Sequence, residues 1–252
     1  MTVSTHPLPQ PDAGVDLPTP SSALVIVAHP DDGEFQAGAT MAKWAAAGCV
    51  VHHLVCTDGS KGTWDPHADT DALVAVRQVE QRAAAAALGA TGEVVFLGHV
   101  DGDLQSGLAE RGEVARWIRR LRPQVVLGHD PWRRYRLHPD HRHAGWLAVD
   151  GCVAARDPHF HRDHDLPHHR PDHLLLFEAD EPDHVEDVTG FADAKLAALL
   201  AHESQLRSTM YIEPDDDGTQ RRRFEQVIRD RLARVGAVVG VAEGEAYRRL
   251  GL

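Results

Sequence analysis

Residues 23–34, ALVIVAHPDDGE, form an apolar run that ends abruptly in one imidazole and three carboxylates. A continuous apolar run with β-branched residues reads as a strand buried on both faces, here Ala23–Ala28. Glu34–Ala47 is alanine-rich and stops at Gly48, the pattern of a helix closed by a C-terminal glycine. The same alternation continues outward. Strands are expected at Val50–Cys56, Val94–Leu97 and Val125–Leu127, and helices at Ala72–Leu88, Glu110–Leu121 and about Pro139–Ala155. Alternating strands and helices build a parallel sheet covered on both faces. The expected fold is α/β: a single-domain, Rossmann-like, mostly parallel, doubly wound sheet.

The rhythm changes after Arg156. Residues 157–173 (DPHFHRDHDLPHHRPDH) form a His- and Pro-rich loop. Two further strands (Leu174–Phe177, Val185–Val188) and two helices (Phe191–Ala201, Gln220–Val235) follow. The domain is expected to span 23–252. Residues 1–22, rich in Pro, Thr, Ser and Asp, read as a flexible tail without the basic and apolar regions of a secretory signal.

With 26 Lys+Arg against 38 Asp+Glu the net charge is −12, which argues against a general binder of nucleic acid or anionic membranes. No apolar run reaches the length of a membrane span. The three cysteines, Cys49, Cys56 and Cys152, form no CxxC pair and lie in or beside apolar stretches. They read as structural thiols of a cytoplasmic protein.

Open α/β sheets bind ligands at the carboxyl ends of their strands, so the turn His29–Glu34 is the expected site. A dinucleotide site would place GxGxxG there, and that fingerprint is absent. Asp31 and Asp32 would repel phosphate, whereas imidazole beside carboxylate suits a divalent metal. Pro30 fixes the turn so that neighbouring side chains diverge, leaving one Asp to ligate and the other free as a base. The plainer reading is an acidic cap on the next helix.

A second cluster follows Val125–Leu127: GHDPWRRYRLHPDH, residues 128–141. His138 and His141, three apart at a helix start, share one face, and Pro139 suits the first helical turn. HxxH arises cheaply by chance among 18 histidines. Two His/carboxylate clusters at strand ends of one sheet do not, and a catalytic zinc needs three protein ligands and an open position.

AHPDDGE at 28–34 followed by HPDH at 138–141 resembles the PIG-L/LmbE-type zinc-dependent de-N-acetylases. Thr57–Ser60, Arg77 with Glu80, and Lys195 with His202–Gln205 are weaker matches, and the likeness covers roughly Ala23 to Gln205. The resemblance implies that His29, Asp32 and His141 hold one zinc per chain, with iron(II) left open as the occupant. It implies Asp31 as general base and His138 as the electrophilic or acid group, with Asp140 orienting His138. In mycothiol-type members a Tyr stands two residues before HPDH; here Arg136 fills that place.

The chemistry agrees. Amide hydrolysis needs an activated water and a stabilised oxyanion, and zinc serves both ends. The expected function is hydrolytic removal of an acetyl or other acyl group from the amine of an N-acyl amino sugar, by Asp-assisted attack of zinc-bound water. The partner is then a small N-acyl amine containing a sugar; a homo-oligomer is left open. Arg77, Arg134, Arg136 and Trp132 are the candidate substrate contacts, the arginines for an anionic group; Trp132 and Trp64 could stack on a sugar ring. Alternatives are an amidase acting on a thiol–sugar conjugate or natural-product amide, and a non-enzymatic metal-binding protein using the His-rich loop.

Overall fold

The structure, a computed structural model, describes residues 7–252. Eight strands form one sheet: β1 (Gly14–Val15), β2 (Ser22–Val27), β3 (Val50–Thr57), β4 (Val94–His99), β5 (Val125–His129), β6 (His173–Phe177), β7 (His184–Asp187) and β8 (Gly244–Gly251). Six α-helices cover it: α1 (Asp32–Ala46), α2 (Thr70–Ala87), α3 (Leu108–Leu121), α4 (Pro139–Arg156), α5 (Ala192–Leu200) and α6 (Thr219–Val239). The strand order is β1-β7-β8-β6-β5-β2-β3-β4. All pairs are parallel except those made by β8, which is antiparallel to both β6 and β7. The α/β, mostly parallel reading is thus correct.

Successive residues of β2 serve opposite layers. Val25 and Val27 join one core with Met41, Trp44 and Val55. Leu24 and Ile26 join the other, with Val114, Ile118 and Leu147. Burial on both faces is why the strand reads as an unbroken apolar run. A third cluster seats α6 through Phe224, Ile228 and Leu232. From β2 the chain winds out to β3 and β4, then returns to β5 on the other side of β2. That reversal opens a crevice at the carboxyl ends of β2 and β5, where such sheets place ligands. No helix of the described residues is long and apolar enough to cross a membrane.

One expectation needs correction. Residues 1–6 of the expected tail lie outside the described residues, but Gly14–Val15 pairs with β7 and the Leu17 N–H donates to Glu186 Oε1 at 2.9 Å, so this part is a fixed sheet edge. β8 was not legible as a strand. In the His-rich loop, Arg119, buried on α3, donates to the main-chain carbonyls of Ala154, Ala155, Asp157, Phe160 and His161. One guanidinium thereby satisfies the carbonyls that end α4 and fastens the loop. The three cysteines are free and buried, as expected.

Candidate active site

The turn after β2 sets the first half of the site. Asp31 adopts φ +93°, a left-handed conformation that is costly for a residue with a Cβ and concentrates at functional sites. The two aspartates consequently point apart. Asp31 Oδ2 lies 3.3 Å from the Arg77 guanidinium, and its N–H donates to Gln81 Oε1 at 3.0 Å. Gln81 in turn donates to the buried Glu34 at 2.7 Å. Asp32 turns instead to the histidines. The second half comes from α4, which packs close to β5: a Cβ on Gly145 would stand 2.7 Å from the His129 carbonyl oxygen, so only glycine lets the helix start reach the crevice.

His29, Asp32 and His141 converge. His29 Nδ1 and His141 Nε2 are 3.2 Å apart, His29 Nδ1 and Asp32 Oδ2 3.3 Å, and His141 Nε2 and Asp32 Oδ1 3.2 Å. A tetrahedral ion with bonds of about 2.0–2.2 Å separates its ligands by about 3.3–3.6 Å. Asp32 reaches His29 through Oδ2 and His141 through Oδ1, each spacing is close to what such an ion imposes, and two imidazoles with one carboxylate are a suitable donor set. His138 reaches the same centre, its ring centroid 4.6 Å from that of His29, and belongs to a His29–His138–His141 group that could also hold an ion.

A second ring of side chains holds these donors. His29 Nε2 lies 3.2 Å from Asp140 Oδ2 and 3.3 Å from Asp101 Oδ1. Asp140 also accepts from the Gly102 N–H at 2.6 Å. Asp140, in the first turn of α4, thus meets His29, where it was expected to meet His138. Asp32 is backed by His129 Nε2 at 3.4 Å, and His129 Nδ1 lies 3.4 Å from Glu178. Glu178 also pairs with Arg133 at 3.2 Å and Arg136 at 2.6 Å, and Arg136 packs against Nδ1 of His141. Metal-site histidines commonly gain orientation from such carboxylate partners. The contacts of His129, the last residue of β5, and of Glu178, directly after β6, were not read from the sequence, whereas Asp101 was expected to be able to line the pocket and does so.

The protonation pattern matches a cation site. Burial opposes charge on His29, yet Asp101, Asp140 and Asp32 raise its pKa well above the usual value. Burial would raise Asp32, but His141 and His129 hold it well below the carboxylate range. Burial pushes His141 down to about 4, keeping it neutral, the ligating form. Asp31 is raised to about 6 by burial, against the pull of Arg77. His138 is lowered by burial and by His29.

The crevice forms an open cavity of about 490 Å³ lined by His29, Asp31, Asp32, His138 and His141. Of the four candidate substrate contacts only Arg77 lines it, and that guanidinium already donates to Gly59 O at 2.9 Å and Pro30 O at 2.6 Å. Arg136 is engaged by Glu178. Arg134 is exposed, its main-chain N–H donating to Asp180 at 2.7 Å. Trp132 packs edge-on against Trp146. These three do not line the cavity; Arg136, like Arg133, is drawn to Glu178 directly after β6. His99 pairs with Glu113 at 2.7 Å. In the His-rich loop, His161, Asp163 and His164 gather into a separate group that could hold an ion.

Residues 24–152 match the model of the family described as PIG-L, GlcNAc-PI de-N-acetylase. The chain belongs to the PIG-L family. Among PIG-L relatives, the diacetylchitobiose deacetylase of Thermococcus kodakarensis is 35% identical over 185 residues, 72% of this chain and 69% of its own length. The 1D-myo-inositol 2-acetamido-2-deoxy-α-D-glucopyranoside deacetylase of Streptomyces avermitilis is 35% identical over 162 residues, 54% of each protein. Among solved structures, N,N′-diacetylchitobiose deacetylase from Pyrococcus horikoshii, in complex with an inhibitor, superposes with a TM-score of 0.81 at 28% identity. That match covers 92% of this chain and 84% of the other. PIG-L membership places the chain among hydrolases acting on amide C–N bonds.

Proposed function

We propose that this protein removes the acetyl group from the nitrogen of an amino sugar, releasing acetate and a free amine, with one zinc ion held by His29, Asp32 and His141. The observation that carries the reading is the triangle of donors 3.2–3.3 Å apart with Asp31 beside it but turned away. The N-acetyl sugars named in the relatives' descriptions support the substrate class.

A divalent ion in that triangle supplies Lewis acidity toward the amide carbonyl and toward water. The rest of the work falls to side chains. Asp31 accepts a proton from the attacking water and returns it to the nitrogen as the C–N bond breaks. Its raised pKa, about 6, suits a group that must both take and give a proton near neutrality. Gln81 and Arg77 hold it there. His138 faces the cavity and donates an N–H to the carbonyl oxygen as negative charge grows on it. Burial and the charge of His29 lower its pKa. Asp101 and Asp140 keep His29 oriented.

The test is acetate release from a panel of N-acetylated amino sugars, using metal-stripped protein before and after one equivalent of zinc. The expected result is turnover that appears with zinc. Absence of release across the panel with zinc bound would reject the reading.

A further inference from the structure

The His-rich loop carries a side-chain cluster that the proposed chemistry does not use. Arg162–His164 is a single 3₁₀ turn, closed where the His164 N–H donates to the His161 carbonyl at 3.1 Å. Side chains three residues apart eclipse in such a turn. The His161 and His164 rings accordingly stack, with centroids 4.9 Å apart and planes 12° from parallel. The stack has a fixed seat. His161 lies against Gly112 of α3, where a Cβ would stand 3.1 Å from the ring, and its carbonyl is one of those held by Arg119.

Both rings lack partners. His164 is only 7% exposed and its Nδ1 has no hydrogen-bond partner; nor has the buried Nε2 of His161. Buried polar atoms are paired as a rule, so two unpaired imidazole nitrogens in one stack require an explanation, and an ion supplies one. Asp163 adds a carboxylate: one donor atom from each of His161, Asp163 and His164 lies within 4.8 Å of the others. Around a tetrahedral ion the spacing is about 3.3–3.6 Å, a closure that the exposed Asp163 side chain can make. Burial, Arg116 and His161 lower the pKa of His164, which disfavours the protonated form that cannot ligate. Arg116 and Arg119 also oppose a cation, and the Asp163 carboxylate is the charge that offsets them. None of the three donors lines the crevice cavity.

We infer that His161, Asp163 and His164 form a second metal site, separate from the proposed catalytic one, that takes a first-row divalent ion of the zinc, nickel or copper(II) class. Two imidazoles and one carboxylate suit these ions, and the exposed Asp163 side leaves room for water as a further ligand. The ion joins both ends of the turn and, through His161, ties it to α3. It binds only while the loop is closed, so binding stabilises the closed loop. The inference does not depend on the de-N-acetylase reading.

The test titrates the metal-stripped whole chain with zinc against a chromophoric chelator, in the parent and in His141→Ala, His161→Ala and Asp163→Asn. The parent is expected to bind two ions, and His141→Ala and His161→Ala one each. Asp163→Asn should weaken the second ion by at least the about 10-fold that loss of an outer partner costs. Proteolysis of His141→Ala is the second readout, because there the loop site alone takes zinc. At free zinc about 100 times the dissociation constant, cleavage within residues 157–165 should slow about 100-fold. Adding His161→Ala should abolish that protection. Zinc binding by His161→Ala equal to the parent's, loose binding of several ions that ignores His161→Ala, or cleavage indifferent to zinc would each overturn the inference. An ion lost in His161→Ala but not in His141→Ala would uphold this site and count against the catalytic one. The de-N-acetylase reading is otherwise judged by acetate release, which His161→Ala should leave unchanged.

Discussion

Glu178 touches no part of the donor triangle, yet its replacement should loosen the metal. Its carboxylate neutralises Arg133 and Arg136, and Arg136 rests against Nδ1 of His141. In Glu178→Gln the Arg136 charge faces the ion uncompensated, about 6–7 Å away when an ion bond of about 2 Å is added beyond the imidazole. A single and a double positive charge at that distance repel by roughly 5 kcal/mol at an effective dielectric of about 20. The Arg136 side chain is 16% exposed and can swing outward, which removes part of this. The expected loss is therefore about 10- to 100-fold in zinc affinity, the usual range for removing an outer partner of a metal site. Competition with a chromophoric chelator measures it. Glu178→Gln with Arg136→Gln should recover most of the loss, because the uncompensated charge leaves with the arginine. Zinc affinity within about threefold of the parent in the single variant, or no recovery in the double, would refute the electrostatic argument.

Other consequences follow from neighbouring contacts. Asp31→Asn should keep zinc and lose about 10²- to 10⁴-fold in kcat, whereas His141→Ala should lose the metal; equal zinc loss in both, by metal analysis, would contradict the division of roles. Glu186 and Glu245 are fully or almost fully buried, and their pKa values are lowered against the cost of burial, by His184 and Lys43 for Glu186 and by Lys195 for Glu245. Their stabilisation is complete above the unfolded carboxylate value near about 4.3 and is lost as pH falls below it. Below about pH 4.3 the urea midpoint of metal-free protein should fall less steeply in Glu245→Gln than in the parent. Arg119→Ala strands five carbonyls and should cost about 3 kcal/mol while opening residues 157–165 to protease; a change under about 1 kcal/mol would show the loop is held otherwise.

What the sequence disclosed, and what it hid, divides by the range of the interaction. β2 and its turn were legible because hydrophobic burial on both faces is written in consecutive residues and His29–Glu34 is a local unit. The pairing of that turn with HPDH followed from sheet topology. Glu178 was hidden because its partners stand 42 and 49 residues away, at Arg136 and His129. A carboxylate directly after the buried strand LLLF, at residues 174–177, was the available signal. The arginines before HPDH looked free because a charge's partner is not visible in one dimension. β8 escaped for a related reason: GEAYRRLG carries two arginines and little apolar periodicity, and only pairing on both sides, with Tyr247 buried, makes it a strand.

β8 also governs when this molecule can become itself. The β1–β7 pair meets the rest of the sheet only across β8. During synthesis, residues 14–15 and 184–187 therefore wait beside an open seam until the segment ending at Gly251 has left the ribosome and slid between β6 and β7. Until then the edges of β6 and β7 are unpaired templates for foreign strands. The seam thus stays open from the synthesis of β6 and β7 until β8 is in place, and a chaperone that shields strand edges would act in that interval.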